Sequence, residues 1–246
     1  MSELNLTIAV GDKQVEPDDR RMVLEPFSRG RRHAPMAHAK FFDNIETQLK
    51  AYGLQMEQHV HALSRDSNRY FGMAEIASNY TDYTSIVGWR SCHDQRYAAS
   101  LVSGSGVFVC SNLCFSGEVQ VARKHTTNIE EDIPELVYAA VGQIKDQFET
   151  QANDFELFQG RFLTTEEAER HMIAMVRAGV ITPSKLDTVI SEWDAPRHPE
   201  FEDEANMWRL FNAVTQSYKP TGKTDNINTL VHRSPLLMEY CREAMI

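Results

Sequence analysis

Residues 56–76 read MEQHVHALSRDSNRYFGMAEI, two short runs of side chains separated by the polar segment at 65–68. In the first run every second residue, beginning at Met56, falls on one side of an extended chain, because successive side chains in a β-strand point to opposite faces. Asp, Ser and Asn favour a tight turn, since their side chains hydrogen-bond nearby backbone groups. The pattern predicts an antiparallel hairpin with strands at 56–63 and 70–76.

Two histidines, His59 and His61, lie two positions apart in the first strand and therefore point to the same face. They could share a metal ion, but such a site needs a third ligand, and none is suggested nearby. Cys110 and Cys114 flank a three-residue loop, with no second cysteine pair to complete a four-ligand site. We therefore expect solvated histidines on the strand face and no bound metal.

The hairpin is followed by further strand-like segments, predicted at 83–91, 97–102, 107–110 and 119–122. Turns are predicted at the Ser-Gly-Ser-Gly segment of residues 103–106 and at Ser116 and Gly117. Short connections favour antiparallel pairing, because a parallel crossover needs a dozen or more residues. The region from residue 54 to residue 123 is therefore predicted to be an antiparallel β-sheet of hairpins.

Helices are predicted on both sides of this sheet in the sequence. Before it, residues 35–52 carry apolar side chains at helical spacing, and Gly53 follows at the position where glycine ends many helices. After it, Pro134 begins a long helix that runs to about residue 159, since proline is tolerated in a first helical turn. The sheet is thus predicted to be flanked by helices.

The C-terminal part of the chain is predicted to be helical. Thr164 begins one helix through a capping box with Glu167, and Gly179 ends that helix. Pro183 begins the next helix, and a further helix with apolar residues at 3.6-residue spacing ends near Tyr218. Together with the preceding long helix, these occupy residues 134–218.

The composition is that of a soluble globular protein, with 42% hydrophobic and 24% charged residues in a chain of 246. No run approaches the roughly 18 apolar residues of a membrane-spanning helix, and the acidic start does not fit a cleaved signal. We therefore expect a cytoplasmic protein that has no membrane partner. The predicted fold class is α+β, with an irregular basic arm over residues 1–34 and a single domain over residues 35–246.

The net charge is −10, whereas nucleic-acid-binding domains are usually basic. Half of this charge comes from residues 192–204, where six acidic side chains are accompanied by one arginine. Phosphate contacts need only a local group of cations, so the distribution of charge matters more than its sum. Without the acidic segment the chain is much closer to neutral.

Basic and aromatic side chains occur together in several segments. Cations contact phosphates, and flat rings stack on unpaired bases for about 1–3 kcal/mol each, so this combination is typical of a single-strand binder. Arginines on a half-exposed sheet are also often simply solvated, and aromatic residues often belong to the core. The cationic candidates are Arg29, Arg31, Arg32, Lys40, Arg65, Arg69, Arg90, Arg96, Arg123 and Lys124. The candidates for base stacking are Tyr70, Trp89 and Tyr97.

A second group of residues suggests catalysis instead. His93, Asp94, Glu118 and His125 are residue types used by metal-dependent nucleases and hydrolases, and an enzyme of this kind would be centred on His93, Asp94 and His125. Their spacing matches no recognised catalytic pattern. Cys92 cannot act with His93 as nucleophile and base inside a regular strand, because adjacent residues point to opposite faces. This alternative predicts a requirement for a divalent metal.

Five strings of sequence stand out together, namely RSCHD at 90–94, VFVCSNL at 107–113, FSGE at 115–118, RKHT at 123–126 and WRLFNAVT at 208–215. In this order they resemble the signature segments of the phage and plasmid proteins grouped as domain of unknown function 932. The resemblance extends from about residue 35 to residue 218. The family commonly has Asn-Ser-His-Asp at residues 91–94, and an acidic residue at Ser111, so these differences weaken the prediction of an active site.

The resemblance implies a setting in phages, prophages and early-transferred plasmid regions, where single-stranded DNA is abundant. The first expectation is a phage-encoded, non-catalytic protein that binds single-stranded DNA and serves replication, recombination or viral transcription, with no cofactor. The expected partners are single-stranded DNA, a viral or host polymerase, and further copies of the chain. A third hypothesis is an acidic interaction protein that targets a host defence or polymerase component.

Overall fold

The computed structural model describes residues 13–24, 34–78, 83–94, 96, 98–107, 113–123, 128–198, 201–202, 204–218 and 227–245. Only the backbone is described for Lys13 and for residues 106–107, 113–123 and 227–231. Within these ranges no helix is both long and apolar enough to cross a membrane.

The strands of the described chain form one antiparallel sheet. They are β1 (Lys13–Val15), β2 (Met56–Leu63), β3 (Arg69–Ile76), β4 (Tyr83–Cys92), β5 (Ala99–Val107) and β6 (Leu113–Arg123). The order of the strands across the sheet is their order along the chain, so each strand pairs with the next. The predicted sheet of hairpins is confirmed, and the predicted boundaries of β2 and β3 agree with the structure to within one residue.

The described helices lie between β1 and β2 and after β6 in the sequence, which confirms the predicted α+β class and the helical C-terminal part. The described helices are α1 (Arg20–Val23), α2 (His38–Ala51), α3 (Ile129–Gly160), α4 (Thr165–Arg177), α5 (Leu186–Asp194), α6 (Met207–Ser217) and α7 (Ile227–Glu243). A single 3-10 turn, Pro183–Lys185, leads into α5.

The predicted helix ends are confirmed by their local geometry. Thr164 and Glu167 form both hydrogen bonds of the capping box, with the Glu167 N–H donating to the Thr164 hydroxyl at 3.2 Å and the Thr164 N–H donating to the Glu167 carboxylate at 2.8 Å. Gly53 and Gly179 have φ angles of +74° and +76° just after α2 and α4. A side chain with a Cβ rarely adopts this conformation, which explains why glycine ends both helices.

One hydrophobic core lies between a single face of the sheet and helices α2 and α3. The sheet contributes every second residue of β3, including Tyr70 and Ala74, and their cross-strand neighbours on β4, including Trp89. The helices contribute buried side chains at helical spacing, such as Phe41 of α2 and Val137 of α3. This core determines which face of each strand is covered.

A second core surrounds the later part of α3. Phe155 and Phe158 of α3 pack with Trp208 and Phe211 of α6, and the ring centroids of Phe155 and Trp208 are 4.5 Å apart. Helices α4, α5 and α7 also contribute buried side chains to this cluster. Because α3 contributes to both cores, it connects the sheet to the C-terminal helices.

The turns predicted at residues 103–106 and at Ser116 and Gly117 are wrong. Residues 103–106 lie inside β5 and pair with β4, and Ser116 and Gly117 lie inside β6. Ser103 and Ser105 hydrogen-bond Gln147 and Gln151 of α3. These small polar residues therefore lie where α3 packs across the sheet. The strands predicted at 97–102 and 107–110 both overlap the single strand β5, and residues 108–110 lie outside the described chain.

Three other expectations about helices and the N-terminal arm need correction. Helix α3 begins at Ile129 rather than at Pro134, because Ile129 is buried in the first core. The arm predicted to be irregular contains β1 and α1, which bury Val15 and Met22. Helix α7 was not predicted, since Pro235 interrupts its sequence pattern although it lies inside the helix.

Candidate nucleic-acid interface

One end of the sheet collects positively charged residues from distant parts of the chain. At this end β2 stops at Leu63, β3 starts at Arg69, β4 stops at Cys92 and β6 stops at Arg123. The first residue of β5, Ala99, pairs with Arg123. Because the strands are antiparallel neighbours, these termini lie side by side. We call this end of the sheet the arginine end and define it by Lys40, Arg65, Arg69, Arg90, Arg96 and Arg123.

Helices α2 and α3 both begin near the arginine end. The Nε2 atom of His38, the first residue of α2, lies 3.1 Å from the carbonyl oxygen of Ser67 in the β2–β3 turn. Lys40 forms an ion pair with Glu130 at the start of α3, with 3.0 Å between Nζ and Oε1. The first turn of α3 also contains Glu131 and Asp132. On the side covered by helices, this end therefore carries both signs of charge.

The β2–β3 turn that carries Arg65 is held by Asp66. The Asp66 carboxylate accepts hydrogen bonds from the Ser64 hydroxyl at 2.6 Å and from the Asn68 side-chain amide at 2.6 Å. These bonds lower the pKa of Asp66 to about 2. Ser67 adopts a φ of +57°, which completes the reversal of the chain. The tight turn leaves the neighbouring Arg65 exposed.

Asp94 binds two arginines from different segments. Its Oδ2 atom lies 3.3 Å from Nε of Arg69 and 3.3 Å from Nε of Arg96. Burial alone would raise the pKa of Asp94, but hydrogen bonds from the Cys92 thiol, the Arg96 N–H and the Arg69 guanidinium bring it below its ordinary value. The side chain of Asp94 is 11% exposed, whereas those of Arg69 and Arg96 are 35% and 67% exposed.

Arg69 and Arg90 lie on the sheet face that does not contact α2 and α3. Tyr70 and Trp89 belong to the core under these helices. Because side chains alternate along a strand, Arg69, which precedes Tyr70, and Arg90, which follows Trp89, point to the other face. Phe71, which shares this face, pairs across the strands with Arg90 and is half-buried. The Arg90 guanidinium donates from Nε to the Ser100 hydroxyl at 2.9 Å.

Tyr70 and Trp89 do not have a ring face available for base stacking. Tyr70 is fully buried and Trp89 is 3% exposed. The Trp89 ring lies over Gly72 and donates from Nε1 to the Tyr70 hydroxyl at 2.8 Å. The structure therefore corrects their assignment as stacking residues, because both are needed in the core, and it leaves Phe71 as the half-buried ring beside Arg69 and Arg90.

His59 and His61 form part of a hydrogen-bonded chain that starts at Trp89. Tyr70 Oη is 2.7 Å from His61 Nδ1, and His61 Nε2 is 2.8 Å from His59 Nδ1. Since the indole only donates, every group is satisfied when Tyr70 donates to His61 and His61 donates to His59. His59 is exposed as expected, but His61 is 1% exposed, so the expectation that both are solvated is wrong for His61.

Acid should destabilise the fold through His61. Burial, and to a lesser degree the neighbouring His59, lower the pKa of His61 from 6.5 to about 4. The folded state therefore binds this proton more weakly than the unfolded state, and stability is lost as the pH falls from 6.5 towards 4. We expect this residue alone to reduce the free energy of unfolding by about 2.5 kcal/mol between pH 7 and pH 4.5.

Urea denaturation of the wild type and of His61→Gln at several pH values measures this effect. Glutamine does not titrate, so the variant should lose less stability than the wild type over the same pH interval. His232→Gln, at an exposed position of α7, is the matched control for the exchange of a histidine for a glutamine. Parallel curves for the wild type and His61→Gln would contradict the prediction.

Of the residues proposed for a nuclease, the structure describes the side chains of His93 and Asp94, and both contact neighbouring protein groups. His93 is 6% exposed, and its Nε2 atom lies 2.8 Å from the carbonyl oxygen of Met36, to which it donates. Its ring stacks on His38 with centroids 3.8 Å apart. Asp94 is engaged by Arg69 and Arg96 as described above. Among the described residues no three His, Cys, Asp or Glu side chains are arranged to hold a metal ion.

Several predicted site residues lie outside the described residues. These are Arg29, Arg31, Arg32, Tyr97 and Lys124, together with His125 of the nuclease hypothesis. For Arg123 and Glu118 the structure describes the backbone, which places Arg123 at the arginine end and pairs Glu118 with Val102. The structure therefore brings together Lys40, Arg65, Arg69, Arg90 and Arg96 with the backbone of Arg123.

The described residues of the acidic segment, which spans 192–204, lie at the opposite end of α3. Just after it, Asn206 donates from its side-chain amide to the carbonyl oxygen of Gln159 at 3.1 Å, near the last residue of α3. The first residue of α3 follows the arginine end, and a helix of 32 residues is roughly 48 Å long. Within the segment, the buried Glu192 pairs with Arg197 at 2.5 Å. The two charged regions are therefore well separated.

Two functional candidates were missed by the sequence analysis. Asp94 was considered only for catalysis, and Phe71 was not among the stacking candidates. The alternation of side chains in β3 could have identified Phe71, because it shares a face with Arg69 whereas Tyr70 does not. No local pattern could have paired Asp94 with Arg69, since the two are 25 residues apart.

The comparisons with known proteins identify a family for this chain. No curated protein and no solved structure matches it. A family model described as domain of unknown function (DUF932) matches residues 27–235, which include the sheet from β2 to β6, the arginine end and helices α2–α6. Since this match covers most of the chain, the protein belongs to the DUF932 family, in agreement with the resemblance of its sequence motifs.

Proposed function

We propose that this chain is a phage-encoded, non-catalytic protein of the host cytoplasm that binds single-stranded DNA at the arginine end. The observation that carries the proposal is the convergence of cations from separate strands and turns. The antiparallel register brings Arg69 of β3 and Arg90 of β4 to one end of the sheet. Arg65 lies at the same end in the β2–β3 turn, and Arg96 is held there by Asp94, just after β4. Arg123 is the last residue of β6, which stops at the same end of the sheet.

The distribution of charge supports phosphate binding in a protein of net charge −10. Two acidic residues near the arginine end are engaged locally, since Asp66 is hydrogen-bonded in the turn and Glu130 pairs with Lys40. Arg69 and Arg90 lie on the opposite sheet face from α2 and α3, and only α3 has acidic residues, Glu130 and its neighbours, in its first turn. The arginines are therefore separated by the sheet from the acidic first turn of α3, which leaves them accessible to phosphates from the other face.

The position of Phe71 favours single strands over duplexes. Its half-buried ring lies between cations on the same sheet face, which is the combination that lets unpaired bases stack while phosphates are contacted. The arginines lie on strands and turns, so no described helix presents them to a major groove. The separate acidic segment leaves a second surface for a basic partner such as a polymerase, or for another copy of the chain.

Fluorescence anisotropy of a labelled oligonucleotide tests the proposal. Single-stranded and duplex DNA are compared between about 50 and 200 mM salt, with and without EDTA. We expect tighter binding of the single strand, with a logarithmic salt slope steeper than about −2, because each phosphate contact contributes about −0.7. EDTA should have no effect.

Two results would contradict this function. The absence of single-strand binding at low salt would exclude it and would favour the hypothesis of an acidic interaction protein. Cleavage of the oligonucleotide that requires a divalent metal and is blocked by EDTA would favour the nuclease hypothesis instead. Equal affinity for single strands and duplexes would exclude the proposed role of Phe71.

A further inference from the structure

The pair of arginines on Asp94 has unused hydrogen-bonding capacity. Each guanidinium contacts the carboxylate through Nε, at 3.3 Å from the same Oδ2 atom. Within the described part of the chain, the terminal Nη atoms of Arg69 and Arg96 donate no hydrogen bond. Each arginine therefore retains the two-nitrogen end that matches a phosphate group.

The geometry brings the two guanidinium groups close enough to share one ligand. Since both Nε atoms lie 3.3 Å from one oxygen, they are separated by no more than twice that distance. A phosphate group has several oxygens, so one phosphate can accept hydrogen bonds from both arginines. Without a carboxylate between them, the guanidinium groups of Arg69 and Arg96 would repel each other.

Asp94 is well placed to hold this arrangement. Its side chain is 11% exposed, and it also accepts a hydrogen bond from the Arg96 backbone N–H at 3.3 Å. The carboxylate is thus mostly buried, while the two guanidinium groups that it contacts are more exposed. Arg96 is the more exposed of the two, at 67%.

We propose that Arg69 and Arg96 form a clamp for a single phosphate of the DNA backbone and that Asp94 is the positioning residue of this clamp. The inference rests on the proposed binding of single-stranded DNA and adds a specific site to it. Its ligand is one phosphodiester group, contacted by the Nη atoms of both arginines. Asp94 itself does not touch the DNA.

Replacing Asp94 separates positioning from simple charge compensation. Asp94→Asn removes a negative charge at the arginine end, so charge alone predicts tighter binding of single-stranded DNA. If Asp94 positions the arginines, binding should instead weaken by about tenfold, the typical effect of losing a charge-assisted hydrogen bond. Glu130→Gln is the matched control, because it removes the same charge from the same end and should give equal or tighter binding.

A double-mutant comparison excludes a general structural effect. In an Arg69→Gln/Arg96→Gln background, Asp94→Asn should cause no further loss of affinity, because the groups that it positions are absent. The Arg69→Gln/Arg96→Gln variant should reduce the salt slope by about 0.7, the value for one phosphate, rather than by about 1.4. Inorganic phosphate is included as a competitor, and it should displace the oligonucleotide far less effectively than unlabelled single-stranded DNA.

The outcomes distinguish this inference from the proposed function. A wild-type chain that binds no oligonucleotide overturns both. A wild-type chain that binds single strands, with an Asp94→Asn variant that binds equally or more tightly, overturns only the clamp. If Asp94→Asn does not fold by circular dichroism, Arg96→Lys replaces it, because it keeps the charge at an exposed position but loses the fork of two nitrogens, and we expect about tenfold weaker binding. Unchanged binding by Arg96→Lys would equally overturn the clamp.

Discussion

Neutralising four arginines at the arginine end should abolish most single-strand binding. We expect the variant in which Arg65, Arg69, Arg90 and Arg96 are all replaced by Gln to lose at least about a hundredfold in affinity at low salt, since each charged contact to phosphate is worth more than 1 kcal/mol. The logarithmic salt slope should fall by about 2, because three phosphate sites at about 0.7 each are lost when Arg69 and Arg96 share one. Anisotropy titrations at several salt concentrations measure both quantities.

A matched variant controls for the loss of four positive charges. It carries the same number of substitutions to Gln on the helices away from the arginine end, at Lys145, Arg170, Arg177 and Lys185. This variant has the same net charge as the first but should retain most of the affinity, because binding depends on where the cations lie. Equal losses in both variants would mean that total charge governs binding, and the arginine end would not be the interface.

Substituting Gly72 should destabilise the fold more than any single surface change considered above. A Cβ atom at this position would lie 2.3 Å from the Trp89 ring. The ring cannot easily move, because it is buried, hydrogen-bonded to Tyr70 and packed on Phe42 with centroids 5.5 Å apart. We expect Gly72→Ala to lower the free energy of unfolding by about 3 kcal/mol, or the melting temperature by about 6–12 °C.

Thermal and urea denaturation followed by circular dichroism measure this loss. Gly160→Ala is the control, since no atom lies within 4 Å of a Cβ at this position at the end of α3 and alanine favours the helix. Combining Gly72→Ala with Trp89→Leu should cost less than the sum of the two single changes, because the second removes the ring that the first displaces. A Gly72→Ala variant as stable as the wild type would contradict the close contact.

Regions of opposite charge lie near the two ends of α3. The arginine end lies at the start of α3, and the acidic segment lies near its end, roughly 48 Å away by helix length. A protein bound to single-stranded DNA through the first end would therefore hold its acidic segment away from the phosphates. This arrangement suits the proposed contact with a basic partner, because neither surface has to release its ligand for the other to bind.

Local sequence patterns predicted the fold well where neighbouring residues decide the structure. The hairpin of β2 and β3, the capping box at Thr164 and the glycine positions after α2 and α4 all depend on interactions within a few residues. The local pattern at residues 103–106 gave a wrong prediction. Its serines and glycines are typical of a turn, but pairing with β4 and hydrogen bonds to α3 keep it extended.

In the candidate site too, some features follow from the local sequence and others depend on long-range packing. The sequence by itself determined that the chain has an antiparallel sheet with arginines and aromatic rings in its hairpins, because periodicity and turn chemistry are local properties. Only the tertiary structure decided that Tyr70 and Trp89 are buried, that Phe71 shares a face with the arginines, and that Asp94 joins Arg69 to Arg96. Burial and long-range ion pairs depend on which strand faces meet which helices, and that choice is made by packing across the whole chain.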